Sequence, residues 1–143
     1  MSRLFVAFFI CALPLAALAE KNYGSVIIAE VTSIYDGDTF RANITDYPPI
    51  IGEHIGIRIY GVDTPEMNGR CEREKSLARK AKEYTVTMLR NAKLIELRNI
   101  KRGKYFRILA EVYADGKNLG EWLVREGLAV VYVGGKKIKH WCK

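Results

Sequence analysis

The chain has 143 residues, 49% hydrophobic and 27% charged, an ordinary globular balance that has room for one domain and excludes disordered, collagen-like and repeat architectures. Lys and Arg outnumber Asp and Glu by 23 to 16, a net charge of +7, and such an excess points to a polyanionic partner, nucleic acid or an anionic membrane surface.

Residues 1–19 read as an export signal. Arg3 gives a positive start, Leu4 to Leu13 form an apolar run, and Ala17-Leu18-Ala19 is a small-x-small cleavage site before Glu20-Lys21. The run is broken by Pro14 and is too short to span a bilayer, which takes roughly 20 residues, so no stable membrane insertion is expected once it is cleaved. The leader carries only one charge, Arg3, and the basic character therefore belongs to the domain over residues 20–143. Cys11 leaves with the leader. Cys71 and Cys142 remain, and two cysteines in an oxidising compartment point to a disulfide, which would hold the C-terminus back against the middle of the chain. The chain-entropy model values such a closure at up to about 4 kcal/mol. A zinc site from Cys71, His140, Cys142 and His54 is the weaker alternative, because no C-x-x-C or H-x-x-x-H pair is present.

Ser25 to Ile34 is rich in Val and Ile and predicts a strand. The turn dipeptide Asp36-Gly37 then leads to a second strand with Phe40, Ala42 and Ile44 on one face. Thr45 to Glu53 carries Pro48-Pro49 and predicts a surface loop. Ile55, Ile57 and Ile59 alternate as a third strand, with Arg58 facing away from them. Between Cys71 and Asn91, Leu77, Ala81, Tyr84, Met88 and Ala92 fall at spacings of an amphipathic helix. Glu72 and Glu74 begin it and Arg90 ends it, as the helix dipole prefers. Two more strands are expected over Lys93–Ile100 and Arg107–Ala114, the second ending at the turn Asp115-Gly116. Asn118 with Glu121 three positions on is an N-cap signal, and Gly127 is placed to stop a short last helix. The expected fold is mainly β, an α+β arrangement in which five short strands form an oligonucleotide-binding barrel with one inserted amphipathic helix and one short C-terminal helix.

Two segments concentrate chemistry. In Arg58-Ile59-Tyr60-Gly61-Val62-Asp63-Thr64-Pro65-Glu66 a strand carrying a cation runs into a tight turn presenting two carboxylates. In Asp36-Gly37-Asp38-Thr39 the hairpin needs Asp36-Gly37 but not Asp38. Asp38 shares parity with Phe40, Ala42 and Ile44, which points a carboxylate toward the apolar face, a costly placement unless a positive charge neutralises it.

These segments, with Arg107 ahead of Leu109-Ala110-x-Val112-Tyr113-Ala114-Asp115-Gly116 and with Leu123-Val124-Arg125-x-Gly127-Leu128-Ala129, resemble the thermonuclease (staphylococcal nuclease-like) family in order and internal spacing over nearly all of residues 20–143. The resemblance implies a five-stranded oligonucleotide-binding barrel and a calcium-dependent nuclease that acts on DNA and RNA as substrates and leaves 3′-phosphate ends. It assigns Asp38 and Asp63 as carboxylate ligands of Ca²⁺ and the Thr64 backbone carbonyl as a third. That is an oxygen set suited to a hard cation in a site that keeps waters. Asp36 either supports those ligands from behind or serves only the turn. Glu66 corresponds to the residue that deprotonates or orients the attacking water. Arg58 and Arg107 correspond to the pair of guanidiniums that meet the charge developing on phosphorus. Lys104 and Tyr105 match a nucleotide-contacting segment, with Phe106 standing where the family more usually has glycine. Tyr132 is the candidate for a further site tyrosine, one residue closer to Leu128-Ala129 than in the family. Lys136, Lys137 and Lys139 read as a solvated basic tail. A barrel that only binds nucleic acid is the competing expectation, but it has no use for carboxylates that repel phosphates. An exported monomer, periplasmic or secreted, is expected.

Overall fold

The structure is a computed structural model and describes residues 21–137 and 141–143. The expected export signal and two tail residues named above, Lys139 and His140, lie outside the described residues.

The strand expected over Ser25–Ile34 is divided. Its first part, β1 (Val26–Ile27), pairs with β6 (Ile95–Arg102), and its second, β2 (Glu30–Ile34), pairs with β3 (Thr39–Asn43). The change of partner falls between neighbours, since the Ile28 N–H donates to the Ile95 carbonyl at 3.0 Å and the Ala29 N–H to the Asn43 carbonyl at 2.9 Å. With β4 (Ile55–Ile59) and β7 (Arg107–Ala114), the order is β1-β6-β7-β4-β3-β2, and because β1 runs directly into β2 the sheet curls on itself. Strands β4 and β7 are parallel, and the other ladders are antiparallel. Five longer strands in this arrangement make the expected oligonucleotide-binding, α+β fold. Its interior is Phe40, Ala42, Ile57, Ile59, Leu97 and Val112, all essentially inaccessible to water.

Several elements depart from the expectation. The loop with Pro48-Pro49 contains one helical turn, α1 (Pro49–Gly52), started by proline at its first position. Strand β6 begins two residues late, because the amides of Lys93 and Leu94 are taken by the Asp115 carboxylate. Helix α2 (Glu72–Asn91) has the expected spacing but a rotated face. Its buried residues are Glu74, Ala78, Ala81, Thr85 and Leu89, while Tyr84 and Met88 pack at the flank. The sheet approaches α2 so closely that small side chains occupy the centre of the contact. Three two-residue strands were also not expected: β5 (Val62–Asp63), β8 (Lys117–Asn118) and β9 (Val130–Val131). Helix α3 (Leu119–Arg125) is capped by the Asn118 side chain, which accepts from the Glu121 N–H, and it buries Leu119 and Leu123.

Cys71 and Cys142 are joined in a disulfide, with their Cα atoms 5.9 Å apart. Both sulfurs are therefore unavailable to zinc, and His54 is engaged with the Thr32 hydroxyl. No helix among the described residues is long and apolar enough to cross a membrane.

The β2–β3 turn is clamped onto α2. The Thr85 hydroxyl donates to the Gly37 carbonyl at 2.6 Å, and a Cβ at Gly37 would lie 2.7 Å from the Ala81 Cβ and 2.8 Å from a Thr64 methyl. Neither neighbour is the far end of a flexible chain. Gly37→Ala is therefore expected to lower stability by about 1–3 kcal/mol, the usual cost of overpacking, read as a lower urea midpoint.

Candidate active site

One cleft of about 660 Å³ opens between the β2–β3 turn, the end of β4 and the segment after α3. Asp36, Asp38, Arg58, Asp63, Thr64 and Glu66 line it, and Lys104, Arg107 and Tyr132 border the same space.

Asp38 enters as its strand parity requires. It is 4% exposed, and its carboxylate is held from three sides. The Thr39 hydroxyl donates to Oδ1 at 3.0 Å, the Thr64 N–H donates to Oδ2 at 2.8 Å, and Arg58 Nη1 lies 2.7 Å from Oδ2. Arg58 is placed opposite Thr39 in the β3–β4 ladder. Its second nitrogen reaches Asp63 Oδ1 at 3.2 Å, so one guanidinium bridges both buried carboxylates. Asp63 owes its position to β5, which pairs with β9 through Asp63 opposite Val130. Burial pushes the Asp63 carboxyl above its usual pKa, against the lowering effect of Lys137 and Arg58.

Asp36 lies behind Asp38 and accepts its backbone N–H at 3.1 Å, as a turn aspartate does. Burial, reinforced by the Asp38 charge, raises its pKa from 3.8 to about 7. The folded chain thus holds this proton more tightly than the unfolded chain, and the Asp36 contribution to stability falls as pH rises from 3.8 to about 7. Asp36→Asn keeps the acceptor and removes the charge. In chelator at pH 8 it is expected to melt above wild type, at roughly 1.4 kcal/mol per unit of pKa displaced, with the two curves converging below pH 4.

Glu66 is the outermost carboxylate, 55% exposed, and faces the open cleft. Its loop is pinned from beneath by Glu74 of α2, which accepts the N–H of Glu66 at 3.4 Å and that of Arg70 at 2.9 Å. A Cβ at Gly69 would sit 2.5 Å from the Glu74 side chain, so this approach requires glycine. The sequence assigns Glu74 only a helix-dipole role; its place in the first turn of the helix that follows a chemically dense loop is the available signal.

Arg107 borders the cleft without touching the carboxylates. Its Nε donates to the Lys104 carbonyl at 3.3 Å, and its side chain crosses Gly56, where a Cβ would lie 2.9 Å from Arg107 Cγ. Tyr132 also borders the cleft and donates its hydroxyl to the Gly135 carbonyl at 2.7 Å. Tyr105 does not line this cleft; it is 87% exposed and lines a neighbouring one, together with Phe106. Both residues have left-handed backbone, φ 56° and 57°, a conformation that costs a non-glycine residue about 1–2 kcal/mol and that explains why glycine is the commoner choice at the Phe106 position.

Lys137 is the main correction to the sequence reading. Its Nζ lies 2.9 Å from Asp63 Oδ1 and 2.6 Å from Glu66 Oε1, so the half-exposed side chain lines the cleft and is paired there rather than free in solvent. Burial pulls its pKa down, but the hydrogen bonds to Glu66 and Asp63 outweigh burial and leave it above the usual lysine value.

The donor set fits a hard divalent cation. Asp38 and Asp63 present carboxylate oxygens in a nearly dry corner with Asp36 behind them, and among the described residues the Cys71 and Cys142 sulfurs beside Glu74 are consumed in the disulfide.

Comparison with known proteins agrees with this geometry. Residues 56–140 match the family model described as staphylococcal nuclease homologue. A probable endonuclease of Schizosaccharomyces pombe is 30% identical over 138 residues, covering 80% of this chain and 60% of that protein. The endonuclease YncB of Bacillus subtilis is 32% identical over 117 residues, covering 80% of this chain and 53% of that protein. The prophage-derived endonuclease YokF of the same organism is 34% identical over 101 residues, 68% of this chain and 32% of its own length. The chain thus spans little more than half the length of the first two relatives. A family match across more than half of the chain, over a barrel and a carboxylate-arginine cleft of the kind the motifs imply, places this chain in the staphylococcal nuclease homologue family.

Proposed function

We propose that the chain is a calcium-dependent endonuclease that hydrolyses phosphodiester bonds of DNA and RNA and leaves 3′-phosphate ends. The observation that carries the reading is the single guanidinium of Arg58 shared by two buried carboxylates, Asp38 and Asp63, with Glu66 on the open side of the same cleft. A barrel that merely bound nucleic acid would gain nothing from carboxylates aimed at its own phosphate-binding space.

Asp38, Asp63 and the Thr64 carbonyl would hold the calcium ion, which when bound polarises a phosphate oxygen. Glu66 is exposed enough to meet water and fixed enough by Glu74 to aim at it, and it orients or deprotonates the nucleophile. Water oxygen adds to phosphorus, the bond to the 5′ oxygen breaks, and that oxygen leaves with a proton. The 3′ side therefore keeps the phosphate. Arg58 and Arg107, on different strands, approach the phosphoryl group from two directions and meet the extra negative charge of the five-coordinate stage. Lys104 and Tyr132 border the path of the chain beyond the scissile bond, and Tyr105 offers a face for stacking just outside it. Contacts of this kind read phosphate rather than sugar, which suits a substrate range of both DNA and RNA. We further propose export as a monomer to the periplasm or the medium, supported by the leader pattern and by a disulfide of the kind that persists in oxidising compartments.

The test is degradation of linear DNA and of RNA by the purified chain in calcium and in chelator. Cutting is expected in calcium alone, with ends that resist polymerase extension until treated with phosphatase. Binding without cutting in calcium, magnesium and manganese would replace this reading with that of a binding module.

A further inference from the structure

Two features of the chain lie outside the mechanism above, the C-terminal tail and the disulfide, and they meet at one place. The Lys137 ammonium bridges Asp63 and Glu66, the most deeply buried and the most exposed of its two possible partners, with side chains 7% and 55% exposed. Five residues along the chain, Cys142 is bonded to Cys71, the N-cap of α2, and the Arg73 guanidinium donates to the Lys143 carbonyl. One turn into the same helix stands Glu74, which accepts the Glu66 N–H and lies 3.7 Å from the Cys142 sulfur. The loop carrying Glu66 and the tail carrying Lys137 are therefore moored to a single helix end, although 71 residues separate the two cysteines.

We propose that Lys137 is a tethered latch for this site: it neutralises Asp63 and Glu66 at rest, gives them up when Asp63 takes a divalent cation, and then meets the substrate phosphate. This rests on the phosphodiesterase reading. The physical reason is exclusion. An ammonium 2.9 Å from Asp63 Oδ1 stands where a cation held by that oxygen would repel it, so one must leave as the other arrives. A free lysine would then be lost to solvent. Held five residues from the disulfide, the ammonium stays near the cleft at high effective concentration, where a phosphate is the next anion available to it. The tail thus lowers cation affinity in the empty site and raises affinity for nucleic acid in the loaded one. Lys137 acts here as a positioning and substrate-binding residue, not as a proton donor.

The test is calorimetric titration of the chelator-stripped full chain with calcium, in the absence of nucleic acid, comparing wild type, Lys137→Ala and Lys136→Ala. Lys136 is exposed on the same tail and controls for loss of charge. Lys137→Ala is expected to bind calcium about 10-fold more tightly, within the usual range for coupled sites, while Lys136→Ala matches wild type. In calcium, with Glu66→Gln added to prevent cutting, Lys137→Ala is expected to bind a short single-stranded DNA several-fold more weakly. Cys142→Ser should shift both values in the same direction, with melting curves showing that each variant is folded. Equal calcium affinity in wild type and Lys137→Ala would overturn the latch. Tighter calcium binding with unchanged DNA affinity would overturn its transfer to phosphate. If wild type binds calcium and DNA but never cuts, the activity reading falls while the calorimetry still decides the latch.

Discussion

Glu66→Gln is expected to lower the rate of DNA cleavage by about 10² to 10⁴, the range that general base catalysis contributes, with little change in stability. The substitution is nearly isosteric and preserves the contacts that matter to the fold. The Glu66 backbone N–H still reaches Glu74, and Gly69 still donates to the Glu66 carbonyl. The side chain is half exposed, and its ion-pair partner among the described residues is Lys137. An amide can hold a water but cannot take its proton at neutral pH, so the loss should appear in kcat and leave KM near that of wild type. Single-turnover cleavage of a short oligonucleotide separates this from a defect in binding or release. A loss below a few-fold would remove Glu66 from the chemistry.

Arg58→Gln is expected to have two effects of different origin. In chelator it should destabilise the chain by about 3–5 kcal/mol, because removing one partner of a buried ion pair leaves uncompensated charge behind. Here one side chain, 16% exposed, pairs with two carboxylates at 5% and 7% exposure, and while Asp63 also has Lys137, Asp38 loses its ion-pair partner. Saturating calcium should then raise the melting temperature of the variant by more than it raises that of wild type, since a cation on Asp38 and Asp63 replaces the missing charge. In activity the variant should fall by about 10² to 10³, the cost of losing one preorganised donor to the transition state, and calcium should not restore it. Stability rescued and rate not rescued is the signature of a residue that serves both the ligand pair and the phosphoryl group. Arg107→Gln provides the contrast. Among the described residues Arg107 is held by the Lys104 carbonyl and not by the Asp38–Asp63 pair, so its loss should lower the rate without the calcium-dependent stability change.

The parts of this protein that were legible in its residues are those specified by local periodicity and turn chemistry. Asp36-Gly37 marks a hairpin, alternation through Phe40, Ala42 and Ile44 tells which face is buried, and the same parity carries Asp38 inward, where it is 4% exposed. Asn118 with Glu121 caps α3 as the spacing requires. The four motifs that place Asp38, Arg58, Asp63, Glu66 and Arg107 in one family pattern are short segments whose internal geometry is set by neighbours in the chain. Helix α2 marks the limit of such reasoning. Its period was readable, but its buried face turns on Ala78, Thr85 and Leu89 rather than Leu77, Tyr84 and Met88, because the distance to the sheet chooses which size of side chain fits. The partner switch between Ile28 and Ala29, the two-residue pairing that seats Asp63 against Val130, the hold of Glu74 on Glu66, and the arrival of Lys137 between Asp63 and Glu66 leave no periodic trace at all. Each joins groups far apart in the chain or in elements too short to repeat, so it exists only once barrel closure and the disulfide have brought those segments together.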